Sequence, residues 1–256
     1  MGEHKIQLPT HETVLSDSGG WGEPLVLLHA LGVNHHIWRD VAHEIGQKRR
    51  CLSYDLRGHG AAKNAPPAVT LQDLADDLAA LLKTSGIARA HVAGLSMGGS
   101  IAQYFGLSYG DMALSLALIA SPSKTVPQVF EERAKAAEAS GMAPLVGPTL
   151  ERWFSRAALT AEIAGVRDCR KWLQEARVSG YAASLRALGR LDTFERLHQV
   201  RLPAKCIAGE FDPGVTPEAM REIASRIPGA TYHLVRGALH MIPLEKPREL
   251  AKLLLQ

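Results

Sequence analysis

Short apolar runs alternate with segments of helical periodicity along most of this chain. Leu25-Val26-Leu27-Leu28 is uniformly apolar, the pattern of a strand buried on both faces. Cys51-Leu52-Ser53-Tyr54, His91-Val92-Ala93, residues 114–120, Ala204-Lys205-Cys206-Ile207-Ala208 and residues 231–235 read the same way. Two further strand-like pieces precede the turn Ser18-Gly19-Gly20. Between the strands, Leu71, Leu74, Ala75, Leu78, Leu81 and Leu82 recur at helical spacing, with Thr70 and Asp73 placed as a cap and Gly86 as a stop. Other helices are predicted over residues 37–47 and 100–109, from Pro217 behind the N-cap Thr216, and over residues 247–255. Such alternation implies βαβ units in a mainly parallel sheet, hence an α/β fold with helices on its faces.

The rhythm breaks at Ser121. The following residues are rich in Ala, Arg and Glu, are patterned as helices, and show no convincing strand before Ala204. A helical cap inserted into an α/β core accounts for this, with the core at residues 1–121 and 201–256 and the cap at 122–200. A length of 256 residues suits one large domain carrying such an insertion.

Composition narrows the function. No apolar run approaches the roughly 18 residues of a membrane helix, so a membrane-spanning protein is not expected. The opening Met1-Gly2-Glu3-His4-Lys5 lacks the pattern of a signal peptide, so a cytoplasmic location is expected. Cys51, Cys169 and Cys206 are odd in number and far apart, which supports neither a disulfide framework nor a cysteine zinc site. A net charge of +3 without a basic run does not announce a nucleic-acid binder. The excess is localised, however: residues 122–200 hold 12 Lys/Arg against 9 Asp/Glu, a hint of an anionic small-molecule ligand there. Nothing in the sequence fixes the oligomeric state, and a homo-oligomer stays open.

The candidate chemistry begins at Ser96, in Gly94-Leu95-Ser96-Met97-Gly98. Gly-x-Ser-x-Gly alone is a weak signal. Here it lies between a buried strand and a helix, the setting in which a strained turn holds the hydroxyl exposed above a sheet. A serine hydroxyl needs a base to take its proton and a carboxylate to orient that base. Asp212, in the loop after the strand that ends near Ala208, is the carboxylate; Glu210 is its rival, closer to the strand. His240, after the final strand, is the base. An oxyanion needs donors, and the backbone amides of Leu31 and Met97 are nominated, one after the first buried strand and one at a helix N-terminus. His29, His35, His36, His59 and Asp55 are read as structuring their loops. This chemistry needs no metal and no organic cofactor.

These segments resemble the α/β-hydrolase fold, and within it they are similar to 3-oxoadipate enol-lactonases. The resemblance rests on His29-Ala30-Leu31-Gly32 with His36-Ile37-Trp38, Tyr54-Asp55-Leu56-Arg57-Gly58-His59-Gly60, Gly94 to Gly99, Ala208-Gly209-Glu210-Phe211-Asp212-Pro213 and Leu239-His240-Met241. Leu150-Glu151-Arg152-Trp153-Phe154 and Gly180-Tyr181-Ala182-Ala183 resemble the lactonase cap. The resemblance implies a Ser96-His240-Asp212 triad, an acyl-enzyme, and a place in aromatic catabolism by the β-ketoadipate pathway. It also implies that Arg152 clamps a substrate carboxylate while Trp153 covers the lactone ring. The chain departs from the pattern in reading His-Ala where His-Gly is frequent, and in Ala61, where a serine often follows Arg-Gly-His-Gly. A broad carboxylesterase or a cofactor-free perhydrolase would use the same scaffold, and a ligand-binding receptor could keep the triad as a relic.

Overall fold

The structure is a computed structural model describing residues 2–256. Its frame is one eight-stranded sheet in the order β1-β2-β4-β3-β5-β6-β7-β8, formed by β1 (Gly2–Gln7), β2 (Glu12–Asp17), β3 (Pro24–Leu28), β4 (Arg50–Tyr54), β5 (Ala90–Leu95), β6 (Ala113–Ile119), β7 (Ala204–Gly209) and β8 (Thr231–Val235). The strands from β3 onward run parallel, while β2 is antiparallel to both β1 and β4. The order reverses between β3 and β5. In an open parallel sheet such a reversal leaves a crevice beyond the carboxyl ends of the two strands, where no crossover covers them.

Helices α1 (Arg39–Ile45), α2 (Leu71–Thr84) and α3 (Met97–Ser108) belong to the first half of the sheet. The cap at Thr70 forms as its sequence suggests: Thr70 Oγ1 accepts from the Asp73 amide and Asp73 Oδ2 accepts from the Thr70 amide, at 3.2 and 2.9 Å. The segment expected as one helix over residues 37–47 is instead a 3₁₀ turn at His35–Trp38 followed by the shorter α1. Helix α3 starts three residues before its expected position, directly after Ser96.

Five helices separate β6 from β7: α4 (Pro127–Ser140), α5 (Ala143–Trp153), α6 (Arg156–Thr160), α7 (Ala164–Glu175) and α8 (Val178–Gly189). The chain leaves and re-enters the sheet through two segments that pair with each other. Ser123 O accepts from the amides of Thr193 and Phe194, and Lys124 bridges Asp192. Beneath them lies a buried polar cluster. Gln103 of α3 donates to Ser121 Oγ and Pro122 O at 3.0 and 2.9 Å, and accepts from Thr193 Oγ1 at 2.5 Å. Helices α9 (Pro217–Arg226), α10 (Ile242–Glu245) and α11 (Pro247–Leu255) complete the chain. Thr216 caps α9 by accepting from the Ala219 amide, as its place before Pro217 suggests.

The core is continuous, with Trp38, Tyr54, Phe105 and Phe154 fully buried. All three cysteines are buried. Burial pushes the thiols of Cys51 and Cys206 up to about 12. Among the described residues no helix is long and apolar enough to cross a membrane.

Candidate active site

Ser96 occupies the turn between β5 and α3 with φ +54° and ψ −115°. A side chain in that region of backbone space costs roughly 1–3 kcal/mol, so the surroundings must enforce it. They do so by crowding. The Ser96 amide donates to Ile119 O at 2.8 Å. A Cβ on Gly94 would lie 2.2 Å from the Gly98 backbone, and one on Gly98 would lie 2.2 Å from Leu28 O. Only glycine at these two positions lets the turn fold so tightly against β3.

The loop after β7 carries Asp212, and the loop after β8 carries His240. Asp212 Oδ2 lies 2.7 Å from His240 Nδ1. The other carboxylate oxygen accepts from the amides of Gly214 and Val215 at 2.9 and 3.0 Å. Burial alone would raise the Asp212 carboxyl, but the His240 ring and these amides outweigh it and hold the group below its ordinary value. With Asp212 ionised, His240 Nδ1 must be the donor, which leaves Nε2 as the ring's free nitrogen. The rival Glu210 is occupied elsewhere, accepting from the Gly237 amide at 2.8 Å.

Ser96, Asp212 and His240 line one cavity of about 250 Å³, together with Ala30 and Leu31. Met97 occupies the first position of α3, its side chain fully buried beneath the turn. Arg152 and Trp153, near the end of α5, line the same cavity. Trp153 stacks toward His240, with ring centroids 6.4 Å apart and planes 24° from parallel. Arg133 of α4, absent from the sequence expectations, lines the cavity as well, as does Lys124. Arg133 falls three residues after Phe130 and beside the buried Ala134, on the inward stripe of α4 that only the packing reveals.

The cavity is cationic. Among the described residues, neither Arg133 nor Arg152 has a carboxylate within 4 Å, whereas Arg186 on the neighbouring α8 is paired with both Glu131 and Glu138. Burial, followed by the charge of Arg133, places the Arg152 guanidinium below its ordinary value. Among the described residues the only lining carboxylate is Asp212, already engaged by His240. The remaining wall is largely apolar, with Phe130, Tyr181, Leu188 and Val215.

Two contacts fasten the His240 loop to α5. The Met241 amide donates to Trp153 O at 3.1 Å. Glu245 of α10 spans the gap, accepting from the Ser155 amide at 3.0 Å and from the Leu239 amide at 3.2 Å.

The remaining histidines of these loops stand apart from the cavity lining. His29 is fully buried; its Nε2 accepts from the Leu56 amide at 2.9 Å, so Nδ1 donates to Ala30 O at 2.8 Å. Asp55 receives the His35 amide and ring at 2.9 and 2.7 Å and the Ala61 amide at 2.7 Å. Burial would raise Asp55, but these partners bring it down to about 2.

The chain matches the α/β-hydrolase fold family over residues 23–247. It is 30% identical to 3-oxoadipate enol-lactonase 1 of Acinetobacter baylyi over 226 residues, covering 88% of this chain and 84% of that protein. It is 26% identical to the (E)-2-((N-methylformamido)methylene)succinate hydrolase of the same organism, covering 95% and 93% of the two chains. Among solved structures, the enol-lactonase of Burkholderia xenovorans superposes with a TM-score of 0.92 at 28% identity, covering 98% of this chain and 97% of that one.

Proposed function

The chain belongs to the α/β-hydrolase family, and from that premise we propose that it hydrolyses an anionic enol-lactone of the 3-oxoadipate type. Ser96 Oγ attacks the ring carbonyl while His240 Nε2 takes its proton, and Asp212 stabilises the imidazolium that forms. The amides of Leu31 and Met97 receive the oxyanion, the latter with the α3 dipole behind it. Collapse expels the ring oxygen as an enolate, which takes up the proton held by His240 and becomes a ketone, leaving the imidazole neutral. Because an enolate leaves more readily than an alkoxide, little is asked of His240 as an acid. Water, deprotonated by His240, then releases the acyl group from Ser96. Residues 122–200 act as the cap that encloses the substrate. Its free carboxylate sits against Arg152, and Trp153 covers the ring.

The observation that carries this reading is the pair of guanidiniums, Arg133 and Arg152, without carboxylate partners in the cavity that holds Ser96. A neutral ester needs neither. The names of the two Acinetobacter relatives point the same way, one an enol-lactonase and the other a hydrolase of a succinate derivative. The test compares substrates. Ser96→Ala abolishes turnover with the fold retained. Arg152→Ala raises KM for an anionic enol-lactone about 10- to 100-fold and leaves hydrolysis of neutral aryl esters unchanged. Faster turnover of aryl esters than of enol-lactones by the unaltered chain, with no effect of Arg152→Ala, assigns it as a carboxylesterase instead.

A further inference from the structure

Outside the lining of the catalytic cavity, Glu3 of β1 meets His35 and His36 of the 3₁₀ turn. His35 Nε2 and His36 Nδ1 face the same carboxylate oxygen, Glu3 Oε1, at 3.5 and 3.6 Å. The three ligand atoms all lie within 4.8 Å of one another. These separations are informative. A charge-assisted hydrogen bond between a ring nitrogen and a carboxylate closes to about 2.7–2.9 Å, as the His35–Asp55 pair does at 2.7 Å. Two ligands each about 2.0–2.1 Å from a tetrahedral ion lie roughly 3.3 Å apart. The Glu3 contacts lie nearer the second spacing than the first.

The rings are held in place from behind. Asp55, ionised and buried, accepts from His35 Nδ1 and also from the His35 amide. Nδ1 is therefore the donor to Asp55, and Nε2 is the ring nitrogen that faces Glu3. A carboxylate behind a histidine in this way fixes the tautomer and raises the basicity of the ligating nitrogen in metal sites. The next residue is fixed too, by the Asn34 side chain, which accepts from the His36 amide at 3.1 Å. Two surface recesses of about 380 and 290 Å³ share Glu3, His35 and His36 in their linings, so the cluster is open to solvent.

We propose that Glu3, His35 and His36 form a binding site for a divalent first-row transition-metal ion of the zinc class, with water completing the coordination. Two imidazoles and one carboxylate are the donor set such ions prefer. The site ties the edge strand β1 to the turn that leads into α1, and it takes no part in ester hydrolysis. Binding displaces any proton on His35 Nε2, so affinity falls as the pH is lowered.

The experiment uses the full chain without an affinity tag, stripped with a chelator and titrated with zinc chloride by calorimetry, with thermal unfolding followed alongside. The expected result is one saturable zinc per chain, together with a rise in the unfolding midpoint. Glu3→Gln and His36→Ala each weaken binding at least tenfold and leave ester hydrolysis by the metal-free protein unchanged. Saturable binding that survives both substitutions places the zinc elsewhere and overturns the proposal, as does an absence of saturable binding. If Glu3→Gln lowers the midpoint of the metal-free protein as much as that of the zinc-loaded protein, the occupant between Glu3 and His35 is a proton, and the proposal fails.

Discussion

His29 shows how a single ring can fix a loop. Its Nε2 accepts the Leu56 amide while Nδ1 holds Ala30 O, so only the neutral ring satisfies both neighbours, and a proton on Nε2 would set two donors against each other. Burial brings His29 down to about 3, and it brings His59, 5.2 Å away, down to about 4. Both folded values lie below the unfolded value of about 6.5. The unfolded chain therefore takes up protons first as the pH drops, and the stability these rings contribute is complete above about 6.5. It is lost as the pH falls toward the folded values, at about 1.4 kcal/mol per pH unit for each ring. Unfolding midpoints measured in half-unit steps should decline steadily from pH 6.5 to 4. A flat profile over that range would show that the rings titrate normally.

The structural reading of His29 was open to sequence reasoning because a strand-end histidine between apolar residues has few other uses. Arg133 was harder to place. Its charge is visible, but only the packing of α4 shows that it turns inward, and a basic residue on a helical face is usually solvated.

At the scale of elements, the four-residue α10 matters out of proportion to its length. Too short to display a period, it left no trace in the hydrophobic pattern, and its carboxylate Glu245 reaches an amide 90 residues away in sequence. Glu245→Ala leaves the Leu239 and Ser155 amides without their acceptor and leaves the His240 loop held to α5 by the Met241–Trp153 bond alone. The expected cost is about 1–3 kcal/mol of stability. A drop in kcat of roughly tenfold should accompany it, with KM for a neutral aryl ester little changed. Steady-state kinetics beside urea unfolding checks both, and a loss of stability without loss of kcat would reduce Glu245 to a structural brace. The longer elements were legible for the opposite reason. Helix α2 repeats buried leucine from Leu71 to Leu82 and carries a reciprocal cap, and β3 is apolar throughout because both of its faces are covered. Helix α1 came out shorter than expected because its first turn winds as 3₁₀, which brings His35 and His36 against Asp55 and Glu3.

For the whole molecule, the sheet order sets the site. Loops leaving β3 and β5 diverge where the strand order reverses, and those following β7 and β8 bring Asp212 and His240 to the same end. The alternation of strands and helices announces that architecture. The join between the sheet and the helices inserted after β6 could not be foreseen, because Gln103, Ser121 and Thr193 are strung across 90 residues and only the topology brings them together. Gln103→Leu removes two donated hydrogen bonds and one accepted one from a buried cluster and should cost about 2–4 kcal/mol. Hydrogen exchange should then quicken in residues 124–192 more than in the sheet. Uniform exchange throughout would mean that the cluster does not govern that segment.

The pairing of Ser123 with Thr193 has one more consequence, for descent and engineering. Since departure and return lie side by side, the stretch between them joins the sheet at one place along the chain. Exchanging residues 124–192 for the corresponding stretch of another hydrolase would bring new walls to the chamber above Ser96 while leaving every strand at its present length. Rewriting one contiguous stretch of gene would therefore change the chamber walls, provided the bonds from Trp153 and Ser155 to the His240 loop are kept.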